Sequence, residues 1–201
     1  MNEKESTLKR LKRLPILFRK QDVEKVAPHP AVFLTRAVKN GLIHRLNRGN
    51  YVNSFLYGYP DVEQVACFLK PPAYISCEWA LHYYGIILQA PTVCSVITLS
   101  TSVGKKRSIE YLGVRIEFSK ITPRLFEAFF YNNGIYMAKP EKAILDTLYL
   151  RRKIPAEDEM EFDNVDISVL LKMADKYPIP VRTHIQNVII SEQHKEDTYD
   201  V

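Results

Sequence analysis

Apolar and polar positions recur with two different periods along this chain, and the switches between them mark out short helices and short strands. Leu8, Leu11 and Leu14 fall on one stripe with Lys9, Arg10, Lys12 and Arg13 opposite. That pattern predicts an amphipathic helix over Ser6 to Leu14, capped by Ser6 and stopped by Pro15. Ile16 to Phe18 is a small apolar run suited to a strand, and Asp22 to Val26 is amphipathic over one or two helical turns before Pro28 breaks it. The stretch from Pro30 to Asn53, PAVFLTRAVKNGLIHRLNRGNYVN, then reads as helix, stop and hairpin. Leu34, Ala37, Val38 and Gly41 share helical spacing, which turns Val32, Arg36, Lys39 and Asn40 to a polar, cationic face. Gly41 stands where a left-handed residue closes a helix. The extended pattern of Leu42 to Leu46 meets Tyr51 and Val52 across Asn47-Arg48-Gly49, a hairpin tip with Arg45 and Arg48 at its rim.

Helix, strand, helix, turn, helix and hairpin is the order of a winged helix-turn-helix, expected over residues 1–57. FLYGYP reads as a linker, and residues 61–201 as a second, mixed α/β domain with a mainly antiparallel sheet and terminal helices, giving an α+β chain overall. Asp61 caps VEQVACFLK until Pro71-Pro72, and Ser76 caps CEWALHYY until Gly85, with Trp79 as a core residue. Val93 to Leu99, Ile109 to Tyr111, Val114 to Phe118 and the segments flanking Asn132-Asn133-Gly134 supply the strands. Pro140 and Glu141 open a helix with Ala143, Ile144, Thr147 and Leu148 on one face. Pro155 to Asp163 reads as a loop, and Ile167 to Lys176 and Val181 to Ile190 as two last helices before a frayed tail.

Charge changes the picture by its distribution. Residues 1–60 hold 12 Lys and Arg against 4 Asp and Glu, and the remainder holds 16 against 19. A basic first third points to a polyanionic partner. Cys67, Cys77 and Cys94 show neither disulfide nor zinc spacing, so a reducing cytoplasm is expected. Met1 begins a charged segment and no run reaches the roughly 18 apolar residues of a membrane span, so secretion and membrane insertion are disfavoured.

The basic segment ending RAVKNGLIHRLNRGNYVN, then YISCEWALHYYGI with PTVCSVITLS, then GVRIEFSKI leading into IYMAKPEKAILDTLYL, resemble the AbiEi antitoxins across nearly the whole chain. These are the antitoxin and transcriptional-repressor components of bacterial abortive-infection, type IV toxin-antitoxin systems. The resemblance implies a cytoplasmic repressor that binds its own promoter and counteracts a nucleotidyltransferase toxin encoded by a neighbouring gene. An orphan winged-helix repressor is the nearest alternative within that reading.

Read from the residues, Arg36 and Lys39 are the candidates for a DNA groove, with His29 and Asn40 as auxiliary polar contacts. Arg45 and Arg48 are candidates for backbone or minor groove, and Lys9, Lys12 and Arg13 for flanking phosphates. Lys105-Lys106-Arg107 is either another phosphate contact or a solvated hairpin tip. The competing expectation is a metal-dependent nucleic-acid-processing enzyme using Glu117, Lys120, Glu141, Lys142 and Asp146. Glu117 and Lys120 stand three positions apart, which on a strand sets them on opposite faces, and the usual nuclease motif is missing. Glu141 and Lys142 suit helix-start electrostatics, and Asp146 a strand-end or interhelical hydrogen bond. His44 and His82 pair with no nucleophile, and the scattered glycines build no phosphate loop. The expectation is therefore a non-enzymatic protein without metal or cofactor, with double-stranded DNA as partner and self-association open.

Overall fold

The computed structural model describes residues 3–104, 107–151, 153–154 and 160–199. Helix α1 (Glu3–Leu11) leads to strand β1 (Leu17–Arg19), α2 (Lys20–Glu24), α3 (Pro30–Lys39) and a hairpin of β2 (His44–Asn47) and β3 (Asn50–Val52). β3 lies between β1 and β2 and runs antiparallel to both. Leu11, Leu14, Phe18, Val23, Leu34 and Ala37 form the core of this unit, with Phe18 stacked on Tyr51. Gly41, at φ +67°, lets Leu42 N–H reach the Ala37 carbonyl at 2.9 Å, which closes α3 where the sequence places its end. Two details differ from the pattern. Ser6 lies inside α1, which begins at Glu3, instead of capping it. The buried face of α3 is Phe33, Leu34 and Ala37, while Val38 is 38% exposed. Burying the phenyl ring of Phe33 removes more apolar surface than burying Val38, and the helix is rotated accordingly.

The linker contains a helical turn, α4 (Ser54–Tyr57), where an irregular segment is expected. Beyond it follow α5 (Val62–Leu69), β4 (Ala73–Ile75), α6 (Cys77–Tyr83), β5 (Val93–Thr98), β6 (Ile109–Tyr111) and β7 (Val114–Lys120). β8 (Phe129–Asn132), β9 (Ile135–Ala138), α7 (Pro140–Arg151), α8 (Ile167–Ala174) and α9 (Ile179–Tyr199) complete the order. The strands form one sheet in the order β6-β7-β5-β4-β9-β8. The β6–β7 and β8–β9 hairpins each turn through two left-handed residues, Leu112-Gly113 and Asn133-Gly134, as tight two-residue turns require. Each hairpin docks by its second strand. The β5–β7 and β4–β9 pairings are therefore parallel and the other three antiparallel, so the sheet is mixed, with the antiparallel pairings in the majority as expected. Asp61 caps α5 in a reciprocal capping box with Gln64. Trp79 is only partly buried and donates its indole N–H to Glu63 at 2.9 Å. α9 continues through the tail expected to fray, whose residues after Ser191 include neither Gly nor Pro. Of the loop expected over Pro155 to Asp163, residues 155–159 lie outside the described residues.

α7 is the element on which the second unit is built, because Glu141 to Leu148 are buried on every side of it and not along one face. Lys142 and Asp146, both 0% exposed, form an ion pair one helical turn apart. Asp146 also accepts hydrogen bonds from the hydroxyls of Tyr74 (2.9 Å), Ser76 (2.8 Å) and Tyr177 (3.0 Å), and Lys142 donates to Tyr177 at 2.7 Å. The expected strand-end hydrogen bond of Asp146 is thus present, but Lys142 is a buried partner and not a helix-start charge. Its stem of four methylene groups lets the ammonium reach Asp146 from the preceding turn. Burial pushes the Lys142 ammonium below its ordinary range against the pull of Asp146. Burial, followed by the charge of Asp146, pushes the hydroxyls of Tyr74 and Tyr177 far up.

Removing one partner leaves the other buried and uncompensated. Asp146→Ala should cost about 3–5 kcal/mol in urea unfolding, and Lys142→Met with Asp146→Leu should recover only the part due to the stranded ammonium, since three buried hydroxyls still lack their acceptor; equal midpoints for the single and double variants would refute the pairing argument. Tyr177 has a folded-state pKa above its ordinary 10.0, so the stability it contributes is complete below pH 10 and lost as the pH rises beyond it. Thermal melts above pH 10 should accordingly fall less steeply for Tyr177→Phe than for the wild type.

Candidate nucleic-acid interface

α3 presents an exposed ridge between two concave flanks. Pro30 occupies its first turn, where a missing N–H costs nothing, and His29 precedes it as the exposed N-cap residue. With Phe33, Leu34 and Ala37 turned inward, Val32, Thr35, Arg36, Val38 and Lys39 are left outside. Toward the hairpin lies a groove of about 340 Å³ lined by Lys20, Ala31, Thr35, Val38, Arg45 and Tyr51, among others. On the opposite flank a hollow of about 200 Å³ brings together Thr7, Arg10, His29, Val32 and Arg36. Cationic side chains thus border the ridge on both sides.

Three of the sequence-predicted residues line these flanks, and the others lie outside both. Arg36 and His29 join Arg10 on the α1 side, while Arg45 joins Lys20 on the hairpin side. Lys39 is exposed in the last turn of α3, and Asn40 is its C-cap. Arg48 is exposed at the hairpin tip beside Gly49, whose φ of +93° the tight turn demands. Arg45 is steadied by its own Nε donating to the Asn47 carbonyl at 3.1 Å, across a register shift in β2. Lys9 is exposed on α1, and Lys12 and Arg13 are exposed just past its end. Lys105 and Lys106 lie outside the described residues; Arg107 is exposed.

Lys20, Thr35 and Arg10 belong to the grooves without having been singled out in the sequence. Thr35 follows from helical spacing, since Ala31, Thr35 and Val38 form the stripe next to Val32, Arg36 and Lys39. Lys20 has no such signal: it reaches the groove because β1 pairs with β3, and Lys20 N–H binds the Gly49 carbonyl at 2.9 Å. Arg19 beside it faces elsewhere, donating to the Phe68 carbonyl at 3.1 Å with its guanidinium over the Phe68 ring.

The residues of the enzyme alternative do not converge. Glu117 is buried and Lys120 exposed on β7, and Glu141 accepts a hydrogen bond from Asp166 N–H at 3.0 Å. Lys142 and Asp146 are spent on each other. Among the described residues no three His, Cys, Asp or Glu side chains come together as metal ligands, and the three cysteines are buried, with burial raising the Cys67 thiol to about 11. No described helix is long and apolar enough to cross a membrane. Compared with known proteins, the chain matches no family model and no curated protein.

Asn53 fixes the basic end of α1 against the hairpin. It is 0% exposed, and its side-chain N–H groups reach the Leu11 carbonyl at 2.9 Å and the Leu14 carbonyl at 3.4 Å. Asn53→Ala should destabilise the protein by about 1–3 kcal/mol, since both carbonyls would lose a buried donor. Chemical denaturation checks this, and an unshifted midpoint would show that α1 is held by its leucines alone.

Proposed function

We propose that the chain is a DNA-binding transcriptional repressor whose N-terminal unit acts as a winged helix-turn-helix. The observation that carries this reading is the exposed ridge of α3 with cationic grooves on both flanks. Support for the winged helix comes from the order α1, β1, α2, α3, β2, β3 with β3 in the centre of its sheet. In this reading α3 enters the major groove. Arg36 and Lys39 reach base edges or the phosphates beside them, with Thr35 and Asn40 as polar contacts and Val32 and Val38 offered to thymine methyls. Arg45 and Arg48 follow the backbone or minor groove from the hairpin, and Lys9, Lys12, Arg13 and His29 sit toward flanking phosphates. Lys and Arg then supply affinity by releasing counterions, without metal or cofactor.

The resemblance to the AbiEi antitoxins adds a second role, neutralisation of a nucleotidyltransferase toxin by the unit that carries MAKPEKAILDTLYL. It also sets the protein in the cytoplasm and gives the repressor its own promoter as operator. The antitoxin role rests on those residues and the repressor role on the geometry of α3, so the two are tested separately.

Arg36→Ala with Lys39→Ala should abolish sequence-specific retention of promoter DNA in a gel shift while leaving the thermal melt unchanged. Arg45→Ala with Arg48→Ala should weaken binding to all sequences alike and flatten the salt dependence by about two phosphate contacts. Unaltered retention by the first variant would remove α3 from the proposal, and cutting of DNA that requires a divalent cation would replace the repressor by a nuclease. Co-expression of the full chain with the nucleotidyltransferase encoded beside it should restore growth, and failure to do so would leave a repressor without antitoxin activity.

A further inference from the structure

The second unit holds a cavity of about 380 Å³ lined by residues of β5, β7, α6 and α7 and none of α3. Its floor is the sheet and its outer wall is the segment from Ile87 to Val93. Register explains which side chains meet there. β5 and β7 run parallel with Val93 opposite Arg115 and Ser95 opposite Glu117, so these four share one face, while Ile116 and Phe118 turn into the core. Ser95 is covered by Arg151, which donates to it at 2.8 Å and to Glu78 at 2.8 Å. That pair closes one end of the cavity with its charges matched.

Arg115 and Glu117 are different. Glu117 is only 9% exposed, yet its carboxylate takes no hydrogen bond and no ion pair among the described residues, although Arg151 feels its charge. Glu117 lines the cavity, and a carboxylate this short of water gains from a hydrogen-bonded cationic partner placed there. Arg115, two residues away on the same face and roughly 7 Å along the strand, also makes no hydrogen bond or ion pair among the described residues. The cavity therefore offers one anion and one cation on the same face of β7, neither of them in a hydrogen bond or ion pair among the described residues. Ile87, Ala90, Pro91 and Val93 give it an apolar wall, and its volume lies in the range of small-molecule sites.

We propose that this cavity binds a free α-amino acid, with the ammonium on Glu117, the carboxylate on Arg115 and the side chain along Ile87, Ala90, Pro91 and Val93. A simple anion would leave Glu117 unmatched, and a simple cation would leave Arg115 unmatched. An α-amino acid carries both charges on one carbon and so satisfies both groups without drawing either away from the wall. The site is independent of the DNA-binding reading, because none of its residues lies in the N-terminal unit.

Isothermal titration of the full chain with each of the twenty free amino acids tests the proposal. At least one should bind with a single site per chain, and its N-acetyl and C-terminal amide forms should fail to bind. Glu117→Gln and Arg115→Gln should each weaken that affinity about ten- to a hundredfold, the loss that follows from removing a charge-assisted hydrogen bond. Arg115 is exposed, so its substitution keeps the test valid should Glu117→Gln impair folding, which far-ultraviolet circular dichroism reports. The proposal is overturned if no free amino acid binds. It is equally overturned if binding survives Arg115→Gln.

Discussion

A charged pair with no access to water holds the second unit together. Lys142 and Asp146 have surrendered their hydration, and the cost is offset only because three hydroxyls, two from the β4–α6 junction and one from between α8 and α9, complete their hydrogen bonding. Tyr74 brings in β4, Ser76 the start of α6, and Tyr177 the connection between α8 and α9. Apolar contacts alone tolerate sliding, whereas an ion pair of this kind is satisfied in one arrangement. The consequence shows at α6. Ser76 gives its hydroxyl to Asp146 and so provides no side-chain cap for the helix that begins at Cys77. Cys77 itself adopts φ +55°, a left-handed conformation that a β-carbon disfavours. Local helix-start preferences have yielded to the central network.

The same hierarchy separates what could be read from the residues and what could not. Turns were legible because their chemistry is local: Gly41 and Gly85 end helices, and Leu112-Gly113 and Asn133-Gly134 turn hairpins, each by adopting positive φ. Asp61 with Gln64 and Pro30 at a first turn are equally local. Lys142 was not legible, because a lysine beside a glutamate at a helix start looks solvated unless Tyr74, Ser76 and Tyr177 are known to surround it. The parallel pairings of the sheet depend on which strand of each hairpin docks, and no residue within a hairpin encodes that choice.

The cationic surface of α3 shows the middle case. Arg36, Lys39, Arg45 and Arg48 are all exposed, as spacing and composition imply, but the flank on which Arg36 lies depends on the rotation of α3. That rotation is set by Phe33, which takes the inward position that Val38 shares in the simple pattern. Thr35 is thereby brought to the edge of the hairpin groove. The base of the hairpin meanwhile rests on the rest of the protein: Val52 packs into the second core, and the His44 and Tyr59 rings meet edge to face at 6.0 Å. Arg19 on Phe68 adds a further tie, so basic residues of the first unit serve attachment as well as surface charge.

Strand parity gives the clearest instance of one rule with two consequences. Three positions apart on β7, Glu117 and Lys120 point to opposite faces, which separates the pair that a metal-dependent reading would need. Two positions apart, Arg115 and Glu117 point to the same face, and the parallel register with β5 places them beside Val93 and Ser95 respectively. Whether such neighbours neutralise each other is decided by what lies around them. Here Glu78 already holds Arg151, which in turn covers Ser95, so Arg115 and Glu117 stay apart at the mouth of a cavity with an apolar wall. A mostly buried carboxylate whose charged neighbour, Arg151, already serves Glu78 and Ser95 keeps its own hydrogen-bonding capacity open, and that is the physical reason to look to the cavity for its occupant.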